Sequence, residues 1–170
     1  MVKLQLEQQG ISDEAVLNAF YSVDKEGFLP ENLRAFAYAD CELKNENVFF
    51  LPTPFAIAQS IEFLEIFDGC KLLNIGANSY TIALFKFLGA RITVLDKNAD
   101  NLADVQARFS ESNITFVQGS ETNGYPAGAP FDRIFALQHS EDTNLLMEQL
   151  SANGILVSIE NNKNVRKLIK

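Results

Sequence analysis

The segment that most constrains the fold runs from Lys71 to Leu84, where an apolar strand-like run ends at a glycine and a helical pattern follows at once. Residues 71–75 are apolar enough for a buried strand, Gly76 ends it, and residues 81–88 have helical spacing. A glycine lets the backbone approach a ligand, and the first turn of a helix presents free amide groups. The segment therefore predicts the strand–turn–helix opening of a nucleotide-type site.

Strand-like and helical segments alternate through the rest of the chain, with short links between them. The predicted elements after Gly89 cover residues 91–95, 99–109, 114–117, 133–137, 143–150 and 155–159. Such alternation predicts right-handed crossovers and a parallel sheet with helices on both faces. We therefore predict an α/β fold of Rossmann type, a doubly wound and mostly parallel sheet with its first strand central. Ligands then bind beyond the carboxyl ends of the first two strands.

The first 68 residues lack this alternation and predict helices instead. Ser12 is the predicted cap of one helix, Pro30 begins another helical piece, and residues 54–67 form a longer helix that opens with Pro54. We predict that residues 1–68 form a helical extension packed on a Rossmann-type core of residues 69–170, the two making one compact unit.

The end of the chain, residues 161–170, allows two interpretations. Apolar residues alternate over residues 165–169 after a turn-like segment, which predicts an antiparallel edge strand. The alternative is a frayed basic tail. If the strand at residues 155–159 or this hairpin leaves an exposed sheet edge, a homodimer would cover it.

Composition excludes several classes of partner. The net charge of −8 opposes nucleic acid, which needs a basic surface, and no apolar run approaches the ~20 residues that span a bilayer. The start of the chain lacks a signal-peptide pattern, and two cysteines give no disulfide framework. A single histidine, His139, opposes a catalytic zinc site. We expect a cytoplasmic protein with a small or peptide ligand, no metal, no nucleic acid and no membrane.

Polar residues at the ends of the second and third strands supply a candidate site. Asp96 follows about 20 residues after Gly76, where a carboxylate can accept both hydroxyls of a ribose. The alternative for Asp96 is a capping or solvated turn carboxylate. The segment from Gly119 to Glu121 ends the third strand, a usual place for an adenine contact, and its alternative is a simple polar turn.

Longer stretches resemble the protein-L-isoaspartate O-methyltransferase family from about residue 7 to residue 160. The matching stretches are residues 9–19, 26–30, 37–40, 124–134 and 149–157. The run from Ala129 to Asp132, with the upstream Gly124-Tyr-Pro126, is fairly specific for this family, whereas the glycine loop is generic. The chain most resembles a divergent, shortened bacterial branch. The family's C-terminal extension is missing from the sequence, so we expect the C-terminal strands of the sheet to be truncated.

The resemblance implies methyl transfer from S-adenosylmethionine to the carboxylates of isoaspartyl or D-aspartyl residues, which begins the repair of damaged proteins. The implied partner is an isoaspartyl-containing peptide or protein. The implied cofactor-binding residues follow the first strand and end the second and third, and they are Asn74, Gly76, Ala77, Asn78, Ser79, Asp96, Lys97, Ser120 and Glu121.

Several of these positions depart from the family pattern. Asn74 stands where the family has an acid, and Ser120 stands at the aspartate of its Gly-Asp-Gly motif. The family pattern for the loop is Gly-x-Gly-x-Gly-Tyr. The loop from Gly76 to Tyr80 has one residue fewer than this pattern and lacks two of its glycines. Pro52 occupies the position of the hydroxyl that faces the substrate carboxylate and cannot donate a hydrogen bond, and Thr53 is a weak substitute. The catalytic residue is therefore unknown.

These departures leave two functions open. The first is a methyltransferase, because alignment and desolvation supply most of the catalysis for a nucleophile that is already ionised. The alternative is a catalytically degenerate relative that acts as a binding or assembly module, since the departures cluster at the cofactor loop, Ser120 and Pro52. A dinucleotide oxidoreductase is weaker, because no catalytic donor is evident. Asn78 tolerates left-handed backbone better than most residues, so the loop can be rebuilt. The choice depends on whether Asn78 and Tyr80 leave space for a sulfonium.

Overall fold

The computed structural model describes residues 2–45, 50–137, 143–160 and 164–170, without the side chain of Lys3. His139 lies outside the described residues. No helix in the described part is long and apolar enough to cross a membrane.

The N-terminal part consists of helical turns, two helices and one short hairpin. In chain order it contains a π-helical turn (Val2–Leu6), a 3-10 turn (Glu7–Gln9), α1 (Glu14–Ser22), two further 3-10 turns (Glu26–Phe28 and Glu31–Phe36), β1 (Leu43–Lys44), β2 (Phe50–Leu51) and α2 (Pro54–Leu64). The strands β1 and β2 pair antiparallel.

Two predicted helix boundaries in this part were wrong. Asp13, not Ser12, caps α1, because the Asp13 carboxylate accepts hydrogen bonds from the amides of Ala15 and Val16. Helix α2 ends at Leu64 rather than near residue 67, because Glu65 turns the backbone into the left-handed region with a φ of 51°.

The second part of the chain forms one six-stranded sheet flanked by helices. Its elements are β3 (Lys71–Ile75), α3 (Ser79–Phe87), β4 (Arg91–Asp96), α4 (Ala99–Arg108), β5 (Thr115–Gln118), β6 (Phe131–Ala136), α5 (Asn144–Glu148), β7 (Leu150–Glu160) and β8 (Asn164–Ile169). The strand order is β5-β4-β3-β6-β7-β8, in which the first five strands run parallel. The predicted doubly wound sheet with its first strand central is confirmed, and the order switches at β3.

The end of the chain is a strand. β8 pairs antiparallel with β7 from Glu160↔Asn164 to Ile155↔Ile169, so the edge-strand interpretation is confirmed and the frayed tail was wrong. The Lys167 ammonium lies 2.6 Å from the Glu65 carboxylate, and this ion pair links β8 to the end of α2. Among the described strands none pairs with the outer edge of β8, and the homodimer through this edge stays a prediction.

Apolar side chains fill both faces of the sheet. Successive residues of β3 point to opposite faces, so Leu72 belongs to one hydrophobic cluster and Leu73 and Ile75 belong to the other. The larger cluster also contains Phe20 of α1 and Ile57 of α2. The N-terminal part therefore shares a core with the sheet, while the division between residues 68 and 69 stays a prediction.

Candidate functional site

The loop after β3, residues 76–79, is called the Gly76 loop here. Gly76 has a φ of 91°, which disfavours any other residue, and an added Cβ would lie 3.2 Å from Cβ of Leu137. The Asn74 side chain reaches the loop from the end of β3, where its Nδ2 donates to the Gly76 carbonyl oxygen at 2.8 Å. Glycine is therefore required by backbone conformation and by close packing at this turn.

The Asn78 side chain links the Gly76 loop by hydrogen bonds to the start of α3 and to β2. Its Oδ1 accepts from the amides of Tyr80 at 3.0 Å and Thr81 at 3.3 Å, which caps α3, and its Nδ2 donates to the carbonyl of Phe50 at 2.9 Å. Its φ is −117°, so the loop does not use the left-handed conformation that we considered for Asn78. The side chain that stands at a glycine of the family pattern thus joins the Gly76 loop to β2.

Tyr80 points away from the Gly76 loop and into the N-terminal part. Its ring packs edge-on against Phe20 at 6.0 Å between centroids and lies 6.2 Å from Phe28. We call Phe20, Phe28 and Tyr80 the aromatic cluster. The Tyr80 hydroxyl is buried and has no hydrogen-bond partner among the described residues, and burial raises its pKa well above the ordinary value. Lys25 lies beside this cluster, with its ammonium 5.9 Å from the centre of the Tyr80 ring.

Asp96, at the end of β4, is held by three hydrogen bonds. Its Oδ2 accepts from the Ala77 amide and from Nδ2 of Asn101, and its Oδ1 accepts from the Asn98 amide, each at 2.8 Å. A carboxylate offers about four acceptor positions, so three of them are used within the protein. Asp96 therefore fixes the end of β4 to the Gly76 loop.

Asn101 is a site residue that sequence reasoning missed. It lies in the first turn of α4, which Asn98 caps, and its Nδ2 also donates to the Ala77 carbonyl oxygen at 3.0 Å. The available signal was an asparagine inside a helical segment, where asparagine is a poor helix former and often makes a specific hydrogen bond.

The ends of β4 and β5 are adjacent, as the parallel sheet requires. The Gly119 amide donates to the Asp96 carbonyl oxygen at 3.0 Å, and the Lys97 ammonium lies 3.3 Å from a Glu121 carboxylate oxygen. Ser120 is exposed, and its hydroxyl oxygen accepts from the Asn123 amide at 3.4 Å in a turn. Lys97 and Glu121 thus come together beside Asp96, while Ser120 takes part in a local turn.

A cavity of about 350 Å³, the loop cavity, opens beside the Gly76 loop. Its described lining includes Ala77, Asn78 and Ser79 from the loop and Asn101 from α4. The remaining lining residues come from the N-terminal part and the rest of α4, and they are Phe28, Pro30, Asn45, Asp104, Val105 and Arg108. Three of the nine predicted cofactor-binding residues, Ala77, Asn78 and Ser79, therefore line one cavity. The other six lie outside its described lining, at the ends of β3, β4 and β5 or in the turns beside these ends.

Pro52 and Thr53 lie at the start of α2. Pro52 is buried, and the Thr53 hydroxyl oxygen accepts from the Ala56 amide at 3.2 Å, which caps the helix. This hydrogen bond uses the oxygen as an acceptor and leaves the hydroxyl proton available for donation.

Asp132, within the most specific motif of the sequence, links three strands. Its Oδ2 accepts from the Lys71 amide at the start of β3 at 2.8 Å, and its Oδ1 accepts from the Ser151 hydroxyl of β7 at 3.3 Å. Because these contacts lie at the amino end of β3, the motif supports the sheet at the end opposite to the Gly76 loop. The described residues contain no group of three or more His, Cys, Asp or Glu side chains that could hold a metal ion.

The parallel sheet and its switch at β3 define the Rossmann-type fold that S-adenosylmethionine-dependent methyltransferases share. The chain belongs to the protein-L-isoaspartate(D-aspartate) O-methyltransferase family, whose sequence model matches residues 1–170.

Individual relatives agree with this assignment. A protein-L-isoaspartate O-methyltransferase of Methanoculleus marisnigri is 33% identical over 175 residues, which cover all of this chain and 80% of that protein. Among solved structures, a protein-L-isoaspartate O-methyltransferase superposes with a TM-score of 0.77 at 19% identity, over 96% of this chain and 56% of that one. An RNA methyltransferase from Salinibacter ruber, solved with S-adenosyl-L-homocysteine, gives a TM-score of 0.52 at 19% identity, over 64% of this chain and 76% of that one. At such identities the solved structures support the fold alone.

Proposed function

We propose that this chain transfers a methyl group from S-adenosylmethionine to the carboxylate of isoaspartyl or D-aspartyl residues in damaged proteins. The observation that carries the proposal is the family match over the whole of residues 1–170, which includes both the N-terminal part and the sheet. The alternative of a catalytically degenerate binding or assembly module gains no support from the comparisons over this function.

The residues at the Gly76 loop fit the chemistry of the cofactor. Asn74 Oδ1 is a buried acceptor with no hydrogen-bond partner among the described residues, and the α-ammonium of a methionine moiety is a donor. Asp96 Oδ1 keeps one acceptor position, which suits one ribose hydroxyl. We propose that Asn74, Gly76, Ala77, Asn78 and Ser79 hold the methionine part. Lys97, Ser120 and Glu121 then border the adenine.

The chain itself contributes by positioning the two reactants and by keeping water away from them. When bound, S-adenosylmethionine supplies an electrophilic methyl group on a sulfonium sulfur. The carboxylate nucleophile is already ionised at neutral pH, so the chain needs no general base. Transfer of this methyl group to a carboxylate oxygen would leave the electron pair of the broken carbon–sulfur bond on sulfur. The contribution of this chain is therefore to orient the two reactants and to exclude water.

Thr53 is the side chain that we propose to face the substrate carboxylate. Its proton can donate to the carboxylate while its oxygen keeps the cap on α2. Thr53→Ser preserves both functions and should retain activity. Thr53→Asp preserves the cap but removes the donor and adds a negative charge, so the KM for the peptide should rise about 10-fold or more, as expected for losing a hydrogen bond to a charged group, with the thermal midpoint unchanged. Equal KM values for the three proteins would show that Thr53 does not contact the substrate.

The proposed activity is tested with two peptides that differ only in one linkage. One contains isoaspartate, the other contains aspartate at the same position, and both are incubated with the folded chain and methyl-labelled S-adenosylmethionine. We expect a base-labile methyl ester on the isoaspartyl peptide and none on the aspartyl peptide. Cofactor binding without ester formation on either peptide would contradict the enzyme and would favour the binding-module alternative.

A further inference from the structure

A second cavity, of about 410 Å³, lies on the N-terminal part and shares no described lining residue with the loop cavity. Three aromatic rings and one carboxylate contribute to its lining, from Phe20, Tyr21, Tyr38 and Asp24. We call it the Tyr21–Tyr38 pocket. Phe20 belongs to the core, whereas Tyr21 and Tyr38 are 65% and 48% exposed. Large aromatic side chains this exposed around one concavity are typical of interaction sites.

Asp24 is the one charged residue in the described lining of the Tyr21–Tyr38 pocket. The Tyr38 hydroxyl donates to Asp24 Oδ1 at 3.2 Å, so this carboxylate is held at the pocket. Burial, the hydrogen bond to Asp24 and the negative charges of Asp24 and Glu26 together raise the pKa of Tyr38. The described lining contains no lysine or arginine. The nearby Lys25 ammonium lies over the Tyr80 ring and is itself buried, so it does not neutralise Asp24 at the surface.

We propose that the Tyr21–Tyr38 pocket binds a basic side chain, lysine or arginine, of a partner protein. Aromatic faces attract ammonium and guanidinium groups through their quadrupoles, and an adjacent carboxylate adds a direct charge partner. Asp24 is exposed and accepts hydrogen bonds from the Tyr38 hydroxyl and the Glu26 amide, so a basic side chain would add a charge partner that an apolar side chain cannot supply. The chain also carries a net charge of −8, which favours association with a basic partner.

The test uses small probes with the same backbone and different side-chain ends. N-acetyl-lysine methylamide, N-acetyl-arginine methylamide and the neutral N-acetyl-norleucine methylamide are titrated into the full chain, and the ring signals of Tyr21 and Tyr38 are followed by NMR. We expect saturable shifts with the lysine and arginine probes and at least threefold weaker binding of norleucine. Asp24→Asn and Tyr21→Leu should each weaken the basic probes about 2- to 5-fold.

Phe36→Leu is the matched control, because Phe36 is 55% exposed in the same part of the chain but lies outside the described lining of the pocket. It should bind the probes like the unmodified chain. Equal affinity for norleucine and lysine would overturn the proposal, as would Asp24→Asn with unchanged affinity for the basic probes. Ring signals that respond only to protein concentration would show that a second copy of the chain occupies the pocket, and the proposal would be wrong.

Discussion

The Gly76 loop and the aromatic cluster meet at consecutive residues, Ser79 and Tyr80, but they differ in how well their buried polar atoms are hydrogen-bonded. In and around the loop, Asn78, Asp96 and Asn101 bond to one another or to nearby backbone groups, and the one exception among the described side-chain atoms is Asn74 Oδ1. At the aromatic cluster the Lys25 ammonium and the Tyr80 hydroxyl are both buried without a hydrogen-bond partner among the described residues.

This difference shows which of the two regions carries an energetic cost. Asn78 stands where the family pattern has a glycine, and its side chain forms hydrogen bonds with both of its polar atoms, so this departure leaves no unsatisfied polar group in the loop. The aromatic cluster holds an ammonium in an apolar setting, which is destabilising unless the group loses its proton. We therefore expect large stability gains by mutation at Lys25 and losses by mutation at the loop.

The largest expected effect is stabilisation by Lys25→Met. Burial lowers the pKa of Lys25 from 10.5 to about 8, electrostatic interactions with the Cys41 and Asp40 side chains partly offset this effect, and the side chain is 1% exposed. Below pH 8 Lys25 is charged in both states, so the full cost of about 3 kcal/mol is present. Between pH 8 and 10.5 the folded chain binds fewer protons than the unfolded chain, so the stability contributed by this group rises with pH. Lys25→Met should raise the free energy of unfolding by about 3 kcal/mol at pH 7 and remove this rise.

The measurement is urea unfolding at pH 7 and at pH 10 for both proteins. Lys86→Met is a suitable control, because the Lys86 ammonium also lies 5.9 Å from an aromatic ring, that of Phe109, but the side chain is exposed. It should change stability by less than about 0.5 kcal/mol at either pH. A destabilised Lys25→Met protein would show that Lys25 has a favourable partner and that the two regions do not differ as described.

Mutation of Asn101 should have a smaller effect than Lys25→Met and should lower the free energy of unfolding instead of raising it. Asn101→Leu removes the donor that serves both Asp96 Oδ2 and the Ala77 carbonyl oxygen, so the free energy of unfolding should fall by about 1–3 kcal/mol. Gln106→Leu, at an exposed position on the same helix, controls for helix propensity and added apolar surface. If both variants unfold at the same urea concentration, the Asp96 network does not stabilise the loop.

The smallest effect separates the two hydrogen-bonding roles of Asn78. Asn78→Asp keeps the acceptor that caps α3 but places a carboxylate oxygen against the Phe50 carbonyl oxygen in place of the donor; the favourable interaction of the new charge with the N-terminus of α3 partly offsets this repulsion, for a net cost of about 1 kcal/mol. Asn78→Ala loses both and should cost about 2 kcal/mol in total. Amide hydrogen exchange at Tyr80 and Thr81 should accelerate in the alanine variant and stay slow in the aspartate variant. Equal acceleration in both would assign the whole effect to the contact with Phe50.

Hydrophobic periodicity predicted the sheet because parallel strands are buried on both faces and leave continuous apolar runs. It missed the first part of β7, because Asn153-Gly154 is a turn signal in the sequence. In the structure Asn153 has the positive φ of 60° that such a signal predicts, but it lies within β7, near an irregularity in the pairing of β6 with β7.

At the site, Asp96 could be located from its distance after Gly76, but its hydrogen bonds could not. The Asn101 contact depends on how α4 packs on the loop, and the direction of Tyr80 depends on where α3 meets the N-terminal part. Both are set by tertiary packing, which local patterns do not encode.

The central claim, that the rebuilt Gly76 loop still serves a methyltransferase cofactor site, is tested most directly by calorimetric titration of the folded chain with S-adenosylmethionine. We predict saturable one-to-one binding, weakened in Asn74→Leu, which removes the buried acceptor Oδ1 and the hydrogen bond to Gly76. A folded chain that gives no binding heat at millimolar S-adenosylmethionine would contradict the account.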